Sequence, residues 1–116
     1  MNLKECYQAL GGDYEGVLGR LRTERMISKF ALKFLDDGSC DALMSAIAAR
    51  NGEEAFRAAH TIKGICQNLS FDRLYKSSHA LAECLRGGWD DAAVAMAEKV
   101  REDYQVTTDA IRQLEV

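Results

Sequence analysis

The absence of proline is the feature of this 116-residue sequence that most constrains its fold. Proline breaks a helix interior because it lacks an amide hydrogen and its ring clashes with the preceding turn. Six of the nine glycines lie at four points, where they can end helices by adopting left-handed backbone conformations. These points are Gly11-Gly12, Gly38, Gly52 and Gly87-Gly88. The pattern predicts a helical protein with short breaks between its helices.

Apolar residues that recur every three or four positions indicate where the helices lie. We predict helices at about residues 23–36, 40–50, 53–69, 72–86 and 90–114, the last being the longest. Thr23, Ser39 and Asp90 are the expected N-terminal caps, and Asn51-Gly52 is the expected left-handed stop between two of the helices. Two short helices are predicted before them, one at residues 3–10 and one capped by Asp13 and ending near Leu18.

The predicted fold is all-α, an antiparallel up-down-up-down four-helix bundle with one or two short N-terminal helices across one end. The same apolar spacing would suit a coiled coil, but the glycine breaks favour a self-contained bundle. At 12.9 kDa the chain is expected to form a single domain over residues 1–116.

Composition argues against several classes of function. The net charge is -3 without a run of basic residues, so no nucleic-acid partner is expected. No apolar stretch approaches the roughly 18 to 20 residues that span a bilayer, and the N-terminus lacks a signal-peptide core, so we expect a cytoplasmic protein. The cysteines are scattered without metal-ligand spacing. No metal site is predicted, and reduced, buried thiols are favoured over two disulfides.

The helix at residues 53–69 has an unusual outer face. Apolar positions 55, 58, 62, 65 and 69 form one buried stripe. At roughly 100° per residue, the opposite side carries His60, Lys63, Gly64 and Gln67, together with Phe56. An ordinary surface histidine is the simpler interpretation, but a glycine inside a helix costs about 0.5 to 1 kcal/mol relative to alanine. This face therefore indicates a functional site.

An exposed imidazole in this setting can act as a nucleophile toward a group that another protein delivers. A phosphoryl group suits its neighbours. Lys63 can approach the phosphate oxygens, where a unit-charge pair at about 4 Å is worth roughly 1 kcal/mol in a water-like dielectric. Gln67 can donate a hydrogen bond, and Gly64 lets a partner's active site close over the ring. The sequence contains no phosphate-binding loop, nucleophile elbow or H-E-x-x-H helix.

One motif in this helix resembles the H-x-x-K-G signature of histidine-containing phosphotransfer (HPt) domains: His60-Thr61-Ile62-Lys63-Gly64, followed by Gln67-Asn68-Leu69. The flanking residues are also similar, so the resemblance covers nearly the whole chain. It implies that His60 accepts phosphate through Nε2 from a receiver-domain aspartate and passes it to another receiver domain. Lys63 would stabilise phosphate charge and Gly64 would give access. Phe56 and Gln67 are the candidates for docking the receiver.

The resemblance implies a phosphorelay carrier in two-component signalling, not an autonomous kinase. Its partners would be response-regulator receiver domains, which supply the magnesium, and a hybrid histidine kinase. The chain itself would be a monomer without a cofactor. Two alternatives remain open, a helical adaptor that binds a receiver or another signalling protein without carrying phosphate, and a phosphohistidine enzyme with hydrolytic turnover. The second lacks a visible base to activate water.

Two positions depart from the family pattern. Ser70 stands ten residues after the histidine, where many members have glycine, and it indicates a different turn. Ala82 stands near a place where members often carry a glutamate or glutamine, and Glu83 follows it. A contact from a side chain of the next helix, which would orient the imidazole, is therefore in doubt. The other histidine, His79, is predicted to be a plain surface residue.

Overall fold

A computed structural model describes residues 1–115, and within this range the protein forms seven α-helices and no strand. The helices are α1 (Leu3–Leu10), α2 (Tyr14–Leu21), α3 (Glu24–Phe34), α4 (Ser39–Ala48), α5 (Gly52–Leu69), α6 (Asp72–Leu85) and α7 (Ala93–Arg112). The all-α prediction is confirmed for these residues. The last residue of the predicted domain, Val116, lies outside the described range.

Local side-chain chemistry explains where most of the helices begin. The Asp13 carboxylate accepts the amide of Gly16 at 3.0 Å, and the Thr23 hydroxyl accepts the amide of Met26 at 3.2 Å. These oxygens satisfy amide groups that have no partner inside the helix. Both predicted caps are confirmed, although α2 continues to Leu21, beyond the predicted end near Leu18.

The predicted starts of α4 and α7 are wrong. Gly38, not Ser39, is the N-cap residue of α4, and the Ser39 amide donates to the Asp37 carboxylate at 2.9 Å. Asp90 accepts the Ala92 amide in a separate turn, so α7 begins three residues later than predicted.

The stop predicted at Asn51-Gly52 lies one residue earlier. Arg50 takes the left-handed conformation with φ of 54°, because the Asn51 oxygen is engaged as the cap of α5, where it accepts the Glu54 amide at 3.1 Å. Asparagine is among the preferred residues at an N-cap.

The four C-terminal helices pack in a ring, in which α5 contacts α4 and α6, and α7 contacts α6 and α4. The N-terminal helices surround this ring, with α1 against α7, α2 against α3, and α3 against α5 and α7. The largest fully buried side chains come from both parts of the chain: Tyr7, Leu10, Ile27, Leu43, Ile62, Phe71, Leu74, Leu81 and Ile111.

The buried stripes differ from the predicted ones in two places. On α4, apolar spacing predicts a face formed by Cys40, Leu43, Met44, Ile47 and Ala48, but Ala48 is exposed and Ala46 is buried. On α5, Ile65 is half-buried, whereas Cys66 is fully buried together with Ala59. Because α5 packs against neighbours on two sides, its buried face is wider than a single stripe.

Hydrogen bonds tie α1 and α2 to the turn between α5 and α6. The Tyr7 hydroxyl donates to the Leu69 carbonyl at 2.7 Å, and the Asp13 amide donates to the Ser70 carbonyl at 2.9 Å. In return, the Gly11 carbonyl accepts the Arg73 amide at 3.1 Å. The two short helices therefore lie at one end of the bundle and fix the point where α5 stops. Among residues 1–115, no helix combines the length and apolarity that crossing a membrane requires.

Candidate functional site

The outer face of α5 carries the residues that the sequence singled out. His60, Gly64 and Gln67 are exposed, while Phe56 and Lys63 are half-buried. The helix is held on the opposite side by Ala55, Ala59 and Ile62, which are almost completely excluded from solvent, as are its other core residues. Burial of that side leaves the histidine accessible to a second protein.

Among residues 1–115, the His60 ring stacks on an aromatic ring and forms no hydrogen bond. Its centroid lies 5.7 Å from that of Phe56, one helical turn earlier, with the ring planes 22° apart. The Arg86 guanidinium, just after α6, lies 5.4 Å from the centroid of the Phe56 ring, at cation–π distance. Arg86 is itself held by the Glu83 carboxylate at 2.8 Å. Two helices therefore hold the aromatic ring against which the imidazole rests.

The neighbouring helix gives the imidazole no polar support in the described part of the chain. Ala82 is fully buried and has no polar side-chain atom, and the Glu83 carboxylate bonds to Arg86 through both of its oxygens. The hydrogen bond from the next helix to the imidazole, which the sequence left in doubt, is therefore absent among the described residues. Neither ring nitrogen of His60 is engaged by α6.

Gly64 leaves open space beside the histidine. A methyl group built on its α-carbon would have no atom within 4 Å apart from its chain neighbours and the nearby backbone of its own helix. Packing inside this chain therefore does not require glycine at this position, although glycine weakens the helix. The open space leaves room for another molecule to approach the surface beside His60.

Lys63 places a positive charge on the same face. Its ammonium group forms no ion pair among residues 1–115, where the ion pairs of α5 join Arg57 to Glu53 and Glu54. The hydrogen bond from Arg86 is the main reason that the pKa of Glu83 lies below its usual value, and the charges of Arg86, His79 and Lys63 lower it further. The field of Lys63 therefore reaches the α5–α6 boundary and remains available to an approaching anion.

His79 is not the plain surface residue that the sequence predicted. It is half-buried, and its ring stacks on Tyr75 at a centroid distance of 5.6 Å with the planes 6° apart. Its Nδ1 atom is buried without a hydrogen-bond partner in the described residues. The prediction failed because Tyr75, one turn earlier on α6, covers one side of the ring.

Arg20 is a residue of this region that sequence analysis missed. From α2 its Nε donates to the Asn68 carbonyl at 3.0 Å, and one terminal nitrogen donates to the Gln67 carbonyl at 3.2 Å and to the Ser70 hydroxyl. These are carbonyls of the last turn of α5, which lack partners inside the helix. A bond between residues almost fifty positions apart leaves no local signal in a sequence.

Ser70 makes the turn that glycine would otherwise make. It is buried and adopts the left-handed conformation with φ of 55° and ψ of 41°. A non-glycine residue in this conformation is uncommon, and here its hydroxyl is held by Arg20. Ser70 therefore ends α5 in the left-handed conformation that glycine commonly supplies at the end of a helix.

The cysteines do not contribute to this surface. All four are free thiols, as predicted, and Cys6, Cys40 and Cys66 are buried. Burial raises the pKa of Cys6 and of Cys40 to about 11 and raises the pKa of Cys66 as well. These thiols remain protonated at neutral pH and are poor nucleophiles. Residues 1–115 contain no group of three or more histidine, cysteine, aspartate or glutamate side chains that could hold a metal ion.

Comparison with known proteins gives one match. A family model described as the Hpt domain matches residues 37–115, a range that contains α4 to α7 and all five candidate residues of α5. Helices α1 to α3 lie outside the match. Neither a search of curated proteins nor a search of solved structures finds a protein that matches the chain.

Proposed function

Because the chain belongs to the Hpt domain family, we propose that it is a phosphorelay carrier that accepts a phosphoryl group on His60 from a receiver-domain aspartate and passes it to another receiver domain. Hpt domains serve phosphotransfer in two-component signalling as carriers and not as kinases. One observation carries the assignment to His60, namely its exposed imidazole on the α5 face that also bears Lys63 and the open space at Gly64.

The transfer exchanges one bond at phosphorus for another. The lone pair of Nε2 in the neutral imidazole attacks the phosphorus of the acyl phosphate, so a P–N bond forms while the P–O bond to the aspartate breaks. The aspartate leaves as a carboxylate, and the Nδ1 proton can pass to water. Onward transfer runs the same steps in reverse, with a carboxylate of the next receiver as the nucleophile. The receiver supplies the magnesium ion, and this chain needs no cofactor.

Each side chain of the face has a task in this proposal. Lys63 offsets charge on the phosphate oxygens, for which its ammonium is free of internal ion pairs among residues 1–115. Gly64 lets the receiver's active site approach the ring, and Phe56 holds the imidazole at a fixed angle. Phe56 and Gln67 also contact the receiver. Fixing the nucleophile before the partner arrives lowers the entropy cost of the reaction.

We also infer that α4 to α7 form the family's antiparallel up-down-up-down bundle. The ring of packing contacts supports this arrangement, as does the approach of Phe56, near the start of α5, to Arg86, just after the end of α6. The proposed carrier acts as a monomer in the cytoplasm, where it meets receiver domains and a hybrid histidine kinase.

The test is transfer of labelled phosphate from a panel of phosphorylated receiver domains. We expect acid-labile label on the wild-type protein and none on His60→Gln. Lys63→Ala should transfer more slowly, with an unchanged far-UV circular dichroism spectrum. Equal labelling of His60→Gln would overturn the assignment of the phosphoacceptor. Binding of receivers without any transfer by the wild type would instead identify the protein as an adaptor.

A further inference from the structure

Positive charge is concentrated in one segment of this acidic chain. Residues 20–33, which run from the end of α2 through most of α3, carry five basic side chains and one acidic one, a net charge of +4. The whole chain has a net charge of -3. The remainder is therefore acidic, and the segment stands out as a local basic surface beside α5, against which α3 packs.

Two adjoining clefts lie between this segment and α5. The first has a volume of about 240 Å³ and is lined by Phe30, Lys33 and Ile65, with Asp37 as its acidic member. The second, of about 360 Å³, is lined by Arg20, Gly64 and Gln67. Asn68 borders both clefts, so they form one continuous surface. Gly64 and Gln67 belong to the proposed phosphotransfer face, and the clefts extend that face toward α2 and α3.

We propose that these clefts dock the acidic rim of the receiver domain around its phosphorylated aspartate, and that Arg20 and Lys33 select among receivers. The inference rests on the proposed function, because it names a surface for the same partner. We call the surface formed by Arg20, Phe30, Lys33, Ile65 and Asn68 the α3-side surface. Three of these residues, Arg20, Phe30 and Lys33, lie outside the stretch that matches the family model.

Charge complementarity favours a receiver as the occupant. A phosphoryl group carries about -1.5 to -2 charges near neutral pH, and a magnesium site is built from carboxylates. The +2 charge of magnesium offsets about as much charge as the phosphoryl group carries, so the carboxylates leave the surroundings of the phosphorylated aspartate with a net negative charge and with hydrogen-bond acceptors. Lys33 is exposed at the edge of a cleft whose apolar residues, Phe30 and Ile65, are half-buried. This combination of an apolar floor and a basic edge suits a protein surface with an acidic rim.

Arg20 is already fixed in position for this contact. Its Nε and one terminal nitrogen are bonded to the end of α5, whereas the other terminal nitrogen has no hydrogen bond within residues 1–115. Because the guanidinium is rigid and planar, that nitrogen has a defined direction. Binding a carboxylate or phosphate there would not require a flexible side chain to be ordered first, which lowers the entropy cost of binding.

Another charged cleft of the molecule is a weaker candidate. It lies between α6 and α7 and is lined by Lys76 and Lys99, together with Asp72 and Asp103. The Lys99 ammonium is bonded to the buried Asp103 carboxylate at 2.9 Å, so part of its charge is neutralised inside the protein. No residue of α5 lines this cleft. It therefore does not adjoin the phosphotransfer face.

A charge reversal on α3 tests the proposal. Lys33→Glu is compared with Arg25→Glu, which changes the net charge equally on the same helix but lies in a different cleft, beside Glu115. In a His60→Gln background, binding is measured to isolated receiver domains treated with beryllium fluoride and magnesium, which mimic the phosphorylated aspartate. We expect Lys33→Glu to weaken binding about tenfold and Arg25→Glu less than about threefold, because only the first charge lies in the contact.

Parallel measurements of phosphotransfer with intact His60 separate the two proposals. We expect Lys33→Glu to raise the half-saturating concentration while the maximal rate is kept. If the wild type accepts phosphate but the two charge reversals behave alike, the α3-side surface is refuted and the carrier function stands. If binding depends on Lys33 but no receiver transfers phosphate, the carrier function is refuted and the surface stands. Absence of binding to every receiver would refute the surface.

Discussion

At the scale of single residues, Gly64 lowers the stability of α5 and leaves open the surface beside His60. Glycine weakens the helix, while the structure leaves open space for a side chain at this position. Among the helix-interior glycines, only Gly19 in α2 shares this openness, because a methyl group at Gly16 would lie 2.4 Å from the Asp13 carboxylate. Substitution of Gly19 and of Gly64 can therefore be compared to distinguish an effect on stability from an effect on phosphotransfer.

Replacement of Gly64 by alanine should stabilise the protein and slow phosphotransfer. We expect a gain in the free energy of unfolding of about 0.5 to 1 kcal/mol, because alanine loses less backbone entropy in a helix. Urea denaturation measures this gain. Transfer from a phosphorylated receiver should slow because the added methyl group obstructs the partner, whereas modification of His60 by the small donor phosphoramidate should be unaffected. Gly19→Ala is the control, with a similar gain in stability and unchanged transfer.

The outer face of α5 could be predicted because its residues are close in sequence. A spacing of three and four residues places His60, Lys63 and Gly64 on one side of any helix, so periodicity alone finds them. Arg86 and Arg20 could not be found in this way. Their contacts with Phe56 and with the carbonyls of Gln67 and Asn68 depend on how separate helices pack. No local pattern encodes that packing.

At the scale of elements, the end of α5 depends on helices that precede it by fifty residues. The Tyr7 ring is fully buried against Phe71 at 5.7 Å, and its hydroxyl satisfies the Leu69 carbonyl. The Arg20 guanidinium covers the adjacent carbonyls of the same turn. Side chains of α1 and α2 therefore satisfy the carbonyl groups in the last turn of α5, which carries Gln67.

Removal of the Tyr7 hydroxyl should destabilise the protein without changing the packing of the ring. Tyr7→Phe leaves the buried Leu69 carbonyl without its donor, and we expect a loss of about 1 to 3 kcal/mol in the free energy of unfolding. Tyr14→Phe is the matched control. Its hydroxyl donates to Glu24 at an exposed position, so its loss should cost less than about 1 kcal/mol. Equal urea midpoints for the two variants would contradict the role of Tyr7.

The errors in the predicted boundaries also arise at the scale of elements. Ser39, Asp90 and Asn51 all lie next to helix ends, and each is a residue type that favours caps and turns. The sequence shows that a boundary is near, but the choice among neighbouring polar residues depends on small differences in backbone angles. The helices themselves were predicted because their apolar periodicity extends over many residues.

At the scale of the whole molecule, the buried thiols make stability depend on alkaline pH. Burial raises the pKa of Cys6 and Cys40 to about 11 in the folded protein, whereas an unfolded cysteine has a pKa of about 8.5. Above the lower value the unfolded chain loses these protons while the folded protein keeps them. The free energy of unfolding should therefore be independent of these thiols below about pH 8.5 and should fall above it, by up to about 1.4 kcal/mol per pH unit for each thiol.

Urea denaturation at pH 7 to 10 in the presence of a reducing agent measures this dependence. Cys40→Ala removes one of the buried thiols, so the free energy of unfolding of this variant should fall less steeply with pH than that of the wild type, whatever its value at pH 7. A free energy of unfolding that stays constant between pH 8 and 10 would show that the thiols are not protected from deprotonation in the folded state.

The range that matches the Hpt family leaves out three helices that contribute buried side chains, and this leads to a prediction about the whole chain. Residues 37–115 contain the phosphotransfer face but lack the buried side chains of Tyr7, Leu10, Val17, Ile27 and Phe34. Burial of one such side chain stabilises a protein by roughly 1.5 to 3 kcal/mol, and a domain has a net stability of only about 5 to 15 kcal/mol.

We therefore expect the isolated 37–115 fragment to lose cooperative unfolding. Its apolar core would face water where α1 to α3 had packed, and the last turn of α5 would lack its partners in α1 and α2. Thermal unfolding followed by circular dichroism should give a broad, shallow change for the fragment and a sharp transition for the full chain. Binding of a dye specific for exposed apolar surface should rise in the fragment. A sharp transition at the temperature of the full chain would show that α4 to α7 are sufficient, and that the N-terminal helices serve the docking of partners alone.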